Sequence, residues 1–136
     1  MMLKVGDTYE VPLTFTPEQE RIFTDLTGDI NPIHLDTDAA IRAGYPAPIV
    51  HGMLAAAMIG KVIGVDFPGK GTINMERSFQ FIRPLFVNTP YILFLKIADV
   101  EEETANATIK FKIKDSNNKI CLTGSTLVRN IEQFSN

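Results

Sequence analysis

At 136 residues the chain is long enough to bury a substantial core, and the length fits one domain spanning residues 1–136. Hydrophobic residues make up 45% and charged residues 21%, proportions that exclude extended disorder. The net charge of −3 and the lack of a basic block give no basis for binding nucleic acid or a membrane surface.

Cys121 is the one cysteine, which excludes a disulfide framework and a cysteine-based metal cluster. It reads as a small apolar residue within a strand. The amino terminus has no charged region followed by an apolar one, so no signal peptide is expected. The longest apolar stretch, residues 52–65, is interrupted by Lys61 and is too short to span a bilayer. A cytoplasmic location follows as the expectation.

In chain order, residues 8–15 alternate and are rich in β-formers, which predicts a strand. Thr16-Pro17-Glu18-Gln19 is a helix start: Thr16 can cap, Pro17 suits the first helical position, and Gln19 completes a capping box. Ile22, Phe23 and Leu26 would form the apolar face, and Gly28 can close the helix in a left-handed conformation. Asn31-Pro32 forbids a regular helix. A short helix is expected over residues 37–43, closed by Gly44. Pro46 and Pro48 keep the next segment extended.

Residues 52–63, dense in Ala, Met, Ile and Gly, predict a helix buried nearly all round. Residues 66–71 form a loop. Strands are then expected over 72–86, 91–100, 104–115 and 120–129, with turns at residues 101–103 and 116–119. An amphipathic sheet needs its apolar face covered, and the 52–63 helix is the obvious cover. That is an α+β hot-dog arrangement, a curved antiparallel sheet wrapped around a central apolar helix. Its exposed sheet edge would suit pairing with a second copy.

Both histidines lie in short, recognisable phrases. Thr27-Gly28-Asp29-Ile30-Asn31-Pro32-Ile33-His34 can aim a carboxylate and an imidazole at one point, because the segment bends at Pro32. Histidine is the usual choice for proton transfer near neutrality. Ala47-Pro48-Ile49-Val50-His51-Gly52-Met53 opens the apolar helix. The first amides of a helix lack intrahelical acceptors, and glycine lets a ligand oxygen approach the backbone. Such a donor would stabilise a thioester oxygen becoming an enolate. His51 itself reads as a hydrogen-bonded structural residue. Taken separately, each phrase is also ordinary turn or helix-start chemistry. Lys61, Lys70, Arg77 and Arg83 are candidates for contacting the phosphates of a cofactor-like carrier, and Met53, Met58 and Ile59 for closing a ligand pocket.

The two phrases at this separation resemble the MaoC-like hydratases, specifically the small (R)-specific enoyl-CoA hydratases. The likeness is dense from Phe23 to Gly64 and continues more weakly through Pro68-Gly69-Lys70-Gly71 and Phe79-Gln80-Phe81-Ile82-Arg83-Pro84. It implies a hot-dog fold, a homodimer and reversible syn hydration of a trans-2-enoyl thioester to the (R)-3-hydroxyacyl thioester. It implies that Asp29 and His34 are the catalytic pair, that Asn31 orders their loop and water, and that the Gly52 amide forms the oxyanion hole. No metal or redox cofactor is implied, since coenzyme A travels with the substrate. Some of these hydratases carry a serine where this chain has Gly60, which would alter the loop support or the acyl pocket.

The same residues would serve a 3-hydroxyacyl carrier-protein dehydratase, although no clear basic patch for an acidic carrier stands out. A hot-dog thioesterase and a non-catalytic acyl-CoA-binding module are further readings. The intact Asp29, Asn31 and His34 set argues against both.

Overall fold

The structure, a computed structural model of the chain, describes residues 2–135. Strand β1 (Thr8–Leu13) leads into helix α1 (Pro17–Thr27). The capping box forms as expected: the Gln19 amide donates to Thr16 Oγ1 at 3.1 Å, and the Thr16 amide donates to Gln19 Oε1 at 3.0 Å. Gly28 closes the helix with φ 75°. The inward face differs from expectation. Phe23 packs against the core, but Ile22 and Leu26 are 55% and 81% exposed. The helix instead turns Glu20 inward, one turn before Phe23 and Thr24, so its rotation is set by a carboxylate and not by the apolar residues alone.

A single 3-10 turn, Pro32–His34, follows, then helix α2 (Thr37–Arg42), capped by Asp36. Helix α3 (Gly52–Lys61) continues into a π-helical turn, Val62–Asp66. Leu54, Ala55, Ala56, Ile59, Val62 and Ile63 of this segment are buried. The segment is not buried all round, however: Met53 and Val65 are 62% and 64% exposed and mark a free face.

The remaining strands are β2 (Ile73–Phe81), β3 (Tyr91–Glu101), β4 (Asn106–Asp115) and β5 (Ile120–Arg129). They join β1 in one five-stranded sheet ordered β1-β3-β4-β5-β2, every pair antiparallel. The sheet is curved and open, not a closed barrel, and it wraps around α3 in the hot-dog arrangement. Side chains of β3 and β4 alternate between core and solvent. Leu93, Leu95, Ile97, Ile109 and Ile113 are buried against Leu54, Ile59 and Ile63 in one cluster. Each such side chain contributes about 1.5–3 kcal/mol on burial.

Gly124 marks the tightest point of the sheet. A Cβ there would lie 2.2 Å from Ser78 O and 2.5 Å from Phe111 Cζ, so no side chain fits. Cys121 is buried within β5, as its sequence context suggested.

Two boundaries depart from the sequence reading. The strand expected to reach residue 86 ends at Phe81, because the Ile82 and Arg83 amides both turn to the Cys121 carbonyl, at 2.9 and 3.0 Å. A short helix α4 (Ile131–Phe134) also follows β5. Asn130 caps it and anchors it by donating from Nδ2 to Lys70 O at 3.1 Å and Thr72 Oγ1 at 3.0 Å.

Candidate active site

The loop between α1 and α2 is held by its own polar side chains. The Asp29 amide donates to Thr27 Oγ1 at 3.2 Å, and the Asn31 amide to Asp29 Oδ1 at 3.2 Å. The Ile33 amide donates to Asn31 Oδ1 at 3.3 Å, which caps the 3-10 turn that presents His34. Asn31 therefore orders the loop, and its carboxamide is used within the loop itself.

His34 Nδ1 lies 2.7 Å from the Ile49 carbonyl oxygen. A carbonyl only accepts, so Nδ1 carries the proton. The neutral ring then offers an unprotonated Nε2 as base. His51, 1% exposed, stacks on His34 with ring centroids 3.9 Å apart and an interplanar angle of 27°. Its Nε2 lies 3.1 Å from the Asp29 carbonyl oxygen and 3.6 Å from Asp29 Oδ2. Its other face meets Phe23 at 5.0 Å between centroids. One ligating atom each from Asp29, His34 and His51 falls within 4.8 Å of the others.

These three residues could be imagined around a metal ion, but the ring geometry does not fit one. A ligand nitrogen donates in its ring plane at about 2 Å. Two planes stacked at 3.9 Å with a 27° tilt do not meet at that range.

The structure thus brings Asp29 and His34 together as expected. Gly52 opens α3 immediately after His51, and a Cβ at Gly52 would lie 2.8 Å from Phe81 Cε1, so glycine lets that ring approach. His34, Gly52, Tyr45, Phe81 and Arg83 line one cavity of about 190 Å³. A larger groove of about 590 Å³ lies on another side of His34, against Glu20, Thr24, Pro48 and Val87. Asp29 lines neither and reaches the cluster from the loop.

Of the four candidate phosphate-binding cations, Arg83 lies at the small cavity. Lys61 is instead paired with Asp66 at 3.0 Å. Arg77 donates from Nε to Thr126 Oγ1 at 3.1 Å, and its Nη1 sits 3.1 Å from where a Cβ of residue 60 would be. The space left by Gly60 is therefore bordered by a guanidinium. Burial holds that guanidinium's pKa below its ordinary value. Lys70 is exposed. Among the acyl-pocket candidates, Ile59 is fully buried in the core, whereas Met53 stands on the surface.

One residue escaped the sequence reading. Glu20, 6% exposed, accepts from the His51 amide at 2.9 Å and is hydrogen-bonded to His51 Nδ1. An acidic residue in the first turn of a helix is ordinary. Only its helical phase with Phe23 and Thr24 could have signalled that it points inward.

A curved sheet around an apolar helix, with His34 and the start of α3 lining one cavity, is the arrangement expected of a MaoC-like hot-dog protein. The comparisons agree. The MaoC-like domain family matches residues 4–119, and the chain belongs to that family. It is 31% identical to an (R)-specific enoyl-CoA hydratase of Aeromonas caviae over 127 residues, covering 93% of this chain and 95% of that protein. It is 28% identical to the mitochondrial 3-hydroxyacyl-[acyl-carrier-protein] dehydratase of Arabidopsis thaliana, covering 83% of this chain and 67% of the plant protein. The solved structure of the A. caviae (R)-hydratase involved in PHA biosynthesis superposes with a TM-score of 0.87 at 30% identity, covering 94% of this chain and 97% of that one. Hydratases and dehydratases of this kind are hydro-lyases, and the chain takes its place among them.

Proposed function

We propose that this protein is an (R)-specific enoyl-CoA hydratase that adds water reversibly to a trans-2-enoyl-CoA. The observation that carries the reading is the shared cavity: His34, with Nε2 unprotonated, and Gly52, at the start of α3, line the same small space. In this reading Asp29 and His34 hold one water between them. As its oxygen bonds to C3, one of the pair takes its proton. The C2–C3 π electrons move to C2, and charge develops on the thioester oxygen, where the Gly52 amide receives it. The same member of the pair then delivers that proton to C2 on the same face, which completes syn addition and leaves the protein unchanged. Coenzyme A enters with the substrate, and the chemistry uses no resident metal or redox group.

The same reading places the protein in the cytoplasm, and no described helix is long and apolar enough to cross a membrane. It also makes the protein a homodimer. Ile73, Met75 and Phe81 on edge strand β2, and Met53 on α3, are each more than half exposed, and a second copy would cover them. The likeness to the plant dehydratase supports a second reading, in which the same residues run the reaction toward dehydration on a carrier-protein thioester.

The test is loss of the enoyl-thioester absorbance of crotonyl-CoA with purified protein, followed by chiral analysis of the product. Rapid loss with an (R)-3-hydroxy product supports the proposal. Turnover confined to the carrier-protein thioester selects the second reading. No loss with crotonyl-CoA, a longer enoyl-CoA or a carrier-protein thioester counts against both.

A further inference from the structure

The chemistry above leaves one buried ionisable pair without a task. Glu20 and His51 are 6% and 1% exposed, and a carboxylate so placed needs full satisfaction by its neighbours. Glu20 directs both oxygens at one residue, Oε1 to the His51 amide and Oε2 to His51 Nδ1. On the far side of the ring, Nε2 faces the Asp29 carbonyl oxygen at 3.1 Å and the Asp29 carboxylate at 3.6 Å. The carbonyl can only accept, so Nε2 donates to it, and the Glu20 carboxylate can only accept, so Nδ1 donates to that; both contacts together require a proton on each ring nitrogen. The ring face lies against His34. His51 therefore touches both members of the proposed catalytic pair, and Glu20 determines how its ring sits.

Few other charges compete for this arrangement. Asp29 and His34 face the ring from the loop. Arg21, next on α1, points to Glu18 at 3.8 Å, and both of those side chains are largely exposed. The Asp29 amide also donates to Thr27 Oγ1 at the exposed end of α1, and Asp29 Oδ1 accepts from the Asn31 amide, each at 3.2 Å. The contact from His51 ties the Asp29 carbonyl to the start of α3 and, through His51, to Glu20 of α1.

We propose that Glu20 is a positioning residue for the hydration step, acting through His51. It orients the imidazole so that Nε2–H holds the Asp29 peptide and carboxylate while the ring plane supports His34. The inference rests on the reading of Asp29 and His34 as the catalytic pair. Without the carboxylate, His51 is free to turn over or change tautomer. An unprotonated nitrogen would then face two oxygens of Asp29 and push that loop away.

Three measurements test this. In the wild-type protein, long-range proton–nitrogen correlation spectra of the histidine rings should show His51 Nε2 protonated and His34 Nε2 unprotonated. An unprotonated His51 Nε2 overturns the proposal, whatever the enzyme does. Glu20→Leu should lower kcat with crotonyl-CoA at least 10-fold and change KM less than 3-fold. Glu20→Gln should recover most of kcat, because its carbonyl can accept from the His51 amide and its NH2 can donate to Nδ1. Finally, Glu20→Leu added to His51→Gln should cost less than a further 2-fold, since the effect passes through His51.

An unchanged kcat in Glu20→Leu, or equal losses in kcat and affinity that Gln does not relieve, would overturn the assignment. If Glu20→Leu does not fold, the Gln variant and the ring spectra still decide. A wild-type protein that hydrates no thioester defeats the functional reading instead, while the spectra report separately on Glu20 and His51.

Discussion

Strands β3 to β5 and the segment from Gly28 to Ile49 are built by opposite rules. The strands place residue after residue in a shared core, with Leu93, Ile97, Ile109, Ile113, Leu122 and Val128 essentially inaccessible to solvent. In the segment, only Ala40 is fully buried. Its shape comes from short polar contacts of Asp29, Asn31 and Asp36 with nearby amides. The sheet draws its stability from long-range burial, whereas the loop draws its geometry from local hydrogen bonds anchored on a few buried points. Substitutions in the loop can therefore abolish chemistry and leave the fold standing, and substitutions in the sheet should do the reverse.

The sharpest way to expose that division is at the proposed catalytic pair. Asp29→Asn and His34→Ala should each lower kcat by roughly 100- to 10,000-fold, the range for losing a general acid or base. Thermal melting should shift by no more than a few degrees, because Asp29 is exposed and His34 only half-buried. Near-normal turnover in either purified variant would break the comparison at its centre.

The converse belongs to Gly124. An added methyl meets Ser78 O at 2.2 Å and Phe111 Cζ at 2.5 Å, and strand backbone cannot yield cheaply. Gly124→Ala should cost about 3 kcal/mol in denaturant unfolding, the upper end for overpacking, with activity per folded molecule nearly unchanged. A fully stable variant would show that the sheet gives more easily than its packing implies.

A smaller effect is expected at Gly60, where the obstacle is the movable end of Arg77. Gly60→Ser should cost about 0.5–1 kcal/mol, since the guanidinium can swing aside. Comparing kcat/KM for short and long enoyl-CoA substrates would show whether this corner of the molecule faces the acyl chain.

The smallest effect concerns Cys121. Burial, and next the charge of Asp115, push its thiol above the ordinary value of 9.0. The folded state therefore favours the protonated thiol. Its contribution is fully present below that value and is lost as the pH rises through the folded pKa. Iodoacetamide should label native protein much more slowly than urea-unfolded protein at pH 8. Equal rates would mean that β5 opens readily.

The same division explains what could be read from the sequence. Strands β3 to β5 were legible because alternation is a local pattern and the core obeys it. The capping box of α1 and the turn at Asn31-Pro32 were legible because their chemistry is complete within four residues. Asp29, His34 and Gly52 belonged to such phrases, and the structure places all three around one small region. The rotation of α1 was not legible. Ile22 and Leu26 looked like a core face, but a carboxylate partnered with a residue 31 positions away decides which side turns inward. Lys61 and Arg77 looked like free cations until the folded chain supplied Asp66 and Thr126. Helix α4 depends on Asn130 reaching Lys70 and Thr72, contacts that local sequence does not reveal.

Phe81 ends edge strand β2. Its ring lies close against Gly52, yet 54% of the residue remains open to solvent. On the dimer reading, whatever covers that open surface also presses on the ring that packs against Gly52, whose amide is proposed to receive the thioester oxygen. Assembly and turnover would then share a side chain, and the rate per molecule would become a function of dilution.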